Sequence, residues 1–286
     1  MKILLNSGDT VGIIACSNGI DKNMEEKLKA LEEKLKKLNL NILYAKTLYK
    51  KFSVFNGSSK ERADELMKLF LNPNVKAIFD ISGGDLANGV LSYLDFDKIK
   101  ANPKAFFGYS DLSVLLNGIY TKTSMKTYHY QLRNLVSEYG SKQLLDFKNS
   151  LFKGNKDLFN FHYNFIQQNS MEGVLVGGNI RCLLKLAGTS YMPNFSDKIL
   201  FLESLSGDVA KMTTFLTQYN QLGIFKEIKG LLLGSFTEME NKNYSPSIIE
   251  LVKNIVNDPN LPIAKTNEIG HSPNSKALII GDFIKL

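Results

Sequence analysis

The sequence predicts an α/β protein of two domains, the first built on a doubly wound, mostly parallel sheet. Three observations carry that expectation. The chain has 286 residues, long for one compact domain and comfortable for two, each large enough to bury a core without disulfide or metal staples. Through the first half, short apolar runs alternate with helical patterns over short connections, the pattern of a parallel sheet covered on both faces. Between about Tyr139 and Ser170 the alternation weakens, and then it resumes. The expected boundaries are an N-terminal α/β domain over 1–150, a linker over 151–169 and a C-terminal α/β domain over 170–286.

Taken in order, GDTVGIIACS (8–17) reads as a buried strand, and KNMEEKLKALEEKLKKL (22–38) as a helix with a leucine stripe. NILYAK (41–46) is a second strand. Ser58 and Glu61 form a capping box for a helix through Leu71 that Asn72-Pro73 ends. VKAIFDIS (75–82) is an apolar strand running into Gly83-Gly84, and a helix to about Tyr93 follows. AFFGYS (105–110) is a strand that feeds the helix DLSVLLNGIY directly. KTYHYQ is a further possible strand, and KQLLDFKNSLFKG a possible helix. The second half opens with a strand, a Gly-Gly turn and a helix in EGVLVGGNIRCLLKLAGTSY. KILFLES (198–204), a helix over 208–222, KGLLLGSF (229–236), a helix over 246–256, LPIAKT and the closing KALIIGDFIKL complete it.

Hydrophobic residues make up 44% and charged residues 22%, the balance of a globular protein in water, and no run approaches the roughly 20 apolar residues of a membrane span. The first residues lack a signal-peptide layout, because Asp9 interrupts the apolar run, so the cytoplasm is the expected compartment. Two cysteines, Cys16 and Cys182, are too few for a disulfide framework. The net charge is +7, and much of the charged content lies in the helix over 22–38, where six Lys and four Glu stand in i,i+4 pairs and leave +2. No zinc-finger, RNP or basic-arm pattern accompanies it, so nucleic acid is not an expected partner; a small acidic substrate suits the charge as well.

Chemistry concentrates at strand ends. Gly108-Tyr109-Ser110-Asp111 joins a strand to a helix without a spacer, the topology of a nucleophile elbow, with Gly108 relieving the turn. The helix N-terminus would aim its free amides, beginning with that of Asp111, at an oxyanion. The plainer alternative is that Ser110 or Asp111 only caps the helix. Ser82-Gly83-Gly84-Asp85 could form an anion nest at the same sheet edge, or be an ordinary tight turn; its spacing is not a dinucleotide fingerprint. Three histidines are available. His162 lies in an aromatic, irregular stretch and reads as structural; His129 could line a site; His271, in the loop IGHSPNS, is the candidate base. Glu203 closes the apolar strand KILFLE, where it would either orient a base or neutralise a neighbouring helix. The histidines and cysteines have no metal-ligand spacing, and no metal or cofactor is expected.

Together these residues resemble the LD-carboxypeptidase family of serine peptidases, which includes the microcin C immunity peptidases. The resemblance runs through GDTVGIIACS, ISGGDLANGVLSYLDFDKIKANPKAFFGYSDLS, VLVGGNIRCLLKLAGTSY, KILFLES and IGHSPNSKALIIGD, nearly the whole chain in order. It implies Ser110 as nucleophile, Glu203 as orienting acid and His271 as general base. It implies oxyanion donors on the backbone of Gly84, Asp85 and Asp111, and a substrate-binding set of Ser82, Gly83, Asn179 and Asn274. It also implies a smaller C-terminal domain with a β-rich core, a site between the domains, a peptide substrate and a homodimer. Three places depart from the family pattern. Ser82-Gly83-Gly84-Asp85 stands where Arg-Gly-Gly-Tyr-Gly is frequent, a form closer to the microcin-immunity branch; TYHYQ replaces a segment with Gly-Pro; and Ser272-Pro273 follows the histidine in place of glycine. With no arginine at Ser82, a substrate carboxylate would turn to Arg181, Lys185 or a lysine of the C-terminal domain.

Overall fold

The computed structural model describes residues 2–286, which form two six-stranded sheets with helices between and around them. The first sheet contains β1 (Thr10–Ile14), β2 (Asn41–Tyr44), β3 (Val75–Asp80), β4 (Ala105–Gly108) and β5 (Thr127–His129), parallel in the order 2-1-3-4-5. This is the expected doubly wound arrangement, and it explains the sequence of its central strands. Val11, Ile13, Phe79 and Phe107 face one helical layer; Ile14, Ile78 and Phe106 face the other, so neither side can be polar.

The second sheet contains β6 (Asn164–Gln167), β7 (Glu172–Asn179), β8 (Lys198–Ser204), β9 (Gly230–Phe236) and β10 (Ile263–Lys265). β7, β8, β9 and β10 are parallel, and β6 lies antiparallel on the outer edge of β10. The closing run divides between the sheets. β11 (Leu278–Ile280) pairs antiparallel with β5, whereas β12 (Phe283–Lys285) pairs antiparallel with β7. Gly281, at φ 85°, makes the turn between them, where a Cβ would collide with the ring of Tyr120.

Two segments therefore depart from the expected boundaries. Part of the 151–169 segment is β6, because Phe165 and Ile166 pack on the second core, and the last strands serve both sheets. The helix expected to run to Tyr93 is a 3₁₀ helix, Ala87–Tyr93. Ser58 and Glu61 do form their reciprocal capping box, and Ser247 and Glu250 form a second. No helix among the described residues is long and apolar enough to cross a membrane.

The helix Ser113–Thr123 holds the two sheets together. Ser113 through Ile119 are all buried, since one hydrophobic cluster runs from β4 through this helix to β7 and β8. A helix enclosed on all sides needs no polar stripe, which accounts for the apolar run VLLNGI. Its polar residues make the junction: Asn117 donates to Gly177 O at 2.8 Å and accepts from Gly177 N at 2.9 Å. Ser113 Oγ accepts from Asn179 N at 2.8 Å. Gly177 and Gly178 have φ of 129° and 147°, and a Cβ on Gly178 would strike the Ser113 side chain, so the close approach requires glycine.

Candidate active site

β4 delivers Ser110. A Cβ on Gly108 would lie 2.8 Å from Leu112 Cβ, so the turn closes this tightly only around glycine. Ser110 itself has φ 56°, a left-handed conformation costing a non-glycine residue about 1–2 kcal/mol. Strain of this kind is what a nucleophile elbow stores. Ser113 Oγ donates to Ser110 O at 2.7 Å and ties the strained residue to the helix that follows.

β8 delivers Glu203, fully buried, and the loop after β10 delivers His271. His271 Nδ1 donates to Glu203 Oε2 at 2.6 Å, which leaves Nε2 as the unprotonated nitrogen of the neutral ring. That Nε2 is buried and has no hydrogen-bond partner among the described residues. The ring of Tyr109, the neighbour of Ser110, packs on the His271 ring with centroids 4.8 Å apart. The loop is shaped by its own bonds: Gly270 N to Ser275 Oγ at 2.9 Å, Ser275 N to Ser272 O at 3.0 Å, and Ser272 Oγ to Asn274 Oδ1 at 2.6 Å. Pro273 O accepts from Ser137 Oγ at 3.1 Å, so Ser272-Pro273 fastens the histidine loop to the first half of the chain.

Several of the remaining candidates have other work. Asn179, expected in the substrate set, donates from Nδ2 to Glu203 Oε1 at 3.2 Å and caps its own helix through Cys182 N. It completes the carboxylate's coordination instead. Ser82, fully buried, donates to Asp80 Oδ1 at 2.5 Å and accepts from Ser17 N at 3.0 Å, so its hydroxyl is engaged within the fold. Asp85 N, expected to hold an oxyanion, donates to Asn18 Oδ1 at 3.1 Å. Gly84 has φ 123°, and a Cβ there would collide with Asn18. Asn274 stays in the exposed loop, engaged by Ser272.

Arg181 and Lys185, expected to be available for a carboxylate, are both paired. Arg181 bonds Asp85 and Gly84 O, and its guanidinium holds the Asp85 carboxyl below its ordinary pKa. Lys185 Nζ reaches Asp111 Oδ1 at 2.5 Å and Asp85 O at 3.0 Å. Asp111, wholly buried, also accepts from Ser17 Oγ at 2.6 Å and Ala87 N at 2.9 Å. Its side chain is thus a structural anchor, while its amide begins the helix after Ser110.

The other two histidines have contrasting environments. His162 is exposed and pairs with Glu268 at 2.9 Å. His129 is buried at the end of β5, its ring edge-on to Phe201, and burial pushes its pKa down to about 4. Glu203 pulls that value up and His271 pushes it down, which sets His129 behind the Glu203–His271 pair as a neutral wall. Burial raises the Cys16 thiol well above its ordinary value and Cys182 to about 12, so neither supplies a thiolate. Among the described residues no group of three or more His, Cys, Asp or Glu side chains is arranged to hold a metal.

A two-sheet α/β protein with an elbow serine and a buried Glu–His pair defines a class, and comparison with known proteins places the chain within it. Residues 11–130 match the model of the LD-carboxypeptidase N-terminal domain and residues 172–286 that of the C-terminal domain. The chain belongs to the LD-carboxypeptidase family of peptidases. It is 29% identical over 291 residues to a probable murein peptide carboxypeptidase of Bacillus subtilis, covering 97% of this chain and 88% of the relative. The microcin C7 self-immunity protein MccF of Escherichia coli is 24% identical over 306 residues, 96% of this chain and 89% of that protein. A structure of wild-type MccF superposes with a TM-score of 0.89 at 22% identity, covering 99% of this chain and 94% of the other. The muramoyltetrapeptide carboxypeptidase of Oxalobacter formigenes gives 0.80 at 22% identity, over 96% and 94%.

Proposed function

We propose that the protein is a serine carboxypeptidase that hydrolyses the L,D amide bond releasing terminal D-alanine from cell-wall tetrapeptides. One observation carries the chemistry in this reading: Glu203 grips His271 Nδ1 at 2.6 Å, leaving Nε2 unpartnered, while Tyr109, the neighbour of the strained Ser110, packs its ring on His271. In this reading His271 Nε2 takes the Ser110 proton as Oγ attacks the carbonyl carbon. The amides of Gly84 and Asp111 receive the oxyanion. Collapse of the tetrahedral intermediate breaks the C–N bond, and His271 gives its proton to the departing amine. Water, deprotonated by His271, then attacks the acyl-serine and restores the enzyme. Glu203 holds the imidazole tautomer and stabilises its cationic form, and Asn179 keeps that carboxylate in place. The reaction needs no cofactor, and the protein acts as a cytoplasmic homodimer.

A second reading, an immunity-type amidase acting on peptidyl or aminoacyl nucleotide analogues, is favoured by the buried Ser82, where a substrate-pairing arginine is frequent in the family. Product analysis distinguishes the two. The protein is incubated separately with a wall tetrapeptide and with an aminoacyl-sulfamoyl adenosine. Release of D-alanine is the expected result; cleavage of the adenosine compound alone would move the protein to the immunity branch.

A further inference from the structure

A cleft of about 210 Å³ opens beside His271, and its chemistry is one-sided. Its walls include Tyr109, Gln131, Arg133, Lys27 and His271, with no carboxylate among the lining residues. The chain has three arginines. Arg62 is buried against Cys16 O, Ser17 O and Leu86 O, and Arg181 pairs with Asp85. Among the described residues the guanidinium of Arg133 has neither an ion pair nor a hydrogen bond, although its Nε is buried. Gln131, 6% exposed, uses its Oε1 to accept from Arg133 N at 3.1 Å, leaving Nε2 buried and without a partner. A buried donor without an acceptor is unfavourable, and this wall carries two, one of them on the guanidinium itself, which suits an oxyanion that arrives with the ligand.

We propose that this cleft is the subsite for a substrate carboxylate, with Arg133 as the charged donor and Gln131 as its neutral companion. The proposal deepens the peptidase reading and rests on it in one respect, the direction of the leaving group. His271 must protonate the departing amine, so that amine lies at Nε2 and the rest of the leaving residue extends past the imidazole. A carboxylate on that residue is within one residue's span, about 3.5 Å, of the amine, on the side that His271 and Tyr109 share with Arg133. Arg181 and Lys185, already paired with Asp85 and Asp111, are not needed for this task.

The test compares a wall tetrapeptide with its C-terminal amide, using wild type, Arg133→Met and Arg133→Lys. Arg133→Met should raise KM for the acid by about 10- to 100-fold, the range for losing a hydrogen bond to a charged group, with kcat nearly unchanged and the amide unaffected. Arg133→Lys should restore part of the loss. An equal change for acid and amide, or none, overturns the subsite. A second measurement is independent of turnover: phenylglyoxal labelling of the wild-type protein, read by mass spectrometry. Arg133 should label first of the three arginines, and D-alanine, but not D-alaninamide, should slow it. Protection without tetrapeptide cleavage would retain the subsite and overturn the proposed substrate. No protection by D-alanine, whichever substrate is cleaved, overturns the subsite.

Discussion

The turns at the carboxyl ends of β3 and β4 leave neighbouring strands of one sheet, yet they differ in what they hold in reserve. After β3, Ser82 is saturated by Asp80 and Ser17, Asp85 N by Asn18, and the Asp85 side chain by Arg181. After β4, the chain holds Ser110 in a strained conformation, and its neighbour Tyr109 packs on a histidine whose Nε2 has no partner. Open parallel sheets of order 2-1-3-4-5 bind ligands where the strand order reverses, between β1 and β3. Here Arg62 fills that crevice through the carbonyls of Cys16 and Ser17. In the proposed reading the chemistry lies further along, at β4. A glycine-rich turn thus tells little until the partners of its polar groups are known.

The largest expected effect separates the two serines. Ser110→Ala should lower kcat by about 10⁴–10⁶-fold with the thermal midpoint nearly unchanged, and adding His271→Ala should reduce it little further. Ser82→Ala should keep kcat within a few-fold and lower stability by about 1–3 kcal/mol in denaturant titration, because it strips a bond from the buried Asp80. Equal kinetic damage from both serines would erase the distinction between the turns.

Next in size is the carboxylate behind the base. Glu203→Gln should reduce kcat by about 10³–10⁴-fold through loss of the tautomer and of the charge facing the imidazolium. Asn179→Ala should cost far less, since it touches Glu203 and not the reacting atoms. A greater loss for Asn179→Ala would return that residue to the substrate set.

Stability should separate the two aspartates that contact Lys185. Asp111→Asn breaks a buried pair and should destabilise the protein by about 3 kcal/mol. Asp85→Asn disturbs an exposed pair and should cost about 1 kcal/mol or less. Urea midpoints at pH 7 measure both, and a larger cost at Asp85 would contradict the assignment of Asp111 as the anchor.

The effect most conditional on pH belongs to His129. Its pKa lies at about 4 in the fold against an ordinary 6.5, with Glu203 and His271 the charged groups facing it. Between those values the unfolded chain binds a proton that the folded one refuses, so stability falls as pH drops from about 6.5 to about 4, by about 3 kcal/mol in all. His129→Gln should flatten the stability profile across that window while leaving the slope below pH 4 in place. An unchanged profile would mean that His129 is not held neutral.

Much of this was legible along the chain. Short apolar strands ending in Gly-Gly, in Gly-Tyr-Ser and in Glu, and a histidine in a loop, located the sheet edges and singled out Ser110, Glu203 and His271, of which the structure joins the last two. What stayed hidden were the pairings that spend a polar group elsewhere. Arg181 with Asp85, Lys185 with Asp111 and Asn18 with Asp85 join positions far apart in sequence, and no local pattern tells a paired donor from a free one. The contact of Asn179 with Glu203 could have been found: the two stand opposite each other at the carboxyl ends of adjacent parallel strands, so their side chains meet at the sheet's edge. Arg133 had no such signal. Its importance lies in lacking a partner, which only the assembled structure displays.

The division of the closing run between two sheets bears on how the protein is made. During synthesis, β5 leaves the ribosome with an open edge, and β11, the strand that covers it, is translated only after the whole second sheet except β12. Until then His129 at the end of β5 lacks its neighbour Leu278, and His271, which shortly precedes β11 in the chain, has itself only just been added. A nascent chain can thus hold the turn at Ser110 before His271 has been added. On the proposed reading, hydrolytic competence would arrive only with the closing run, and an incomplete chain on the ribosome would be a silent one.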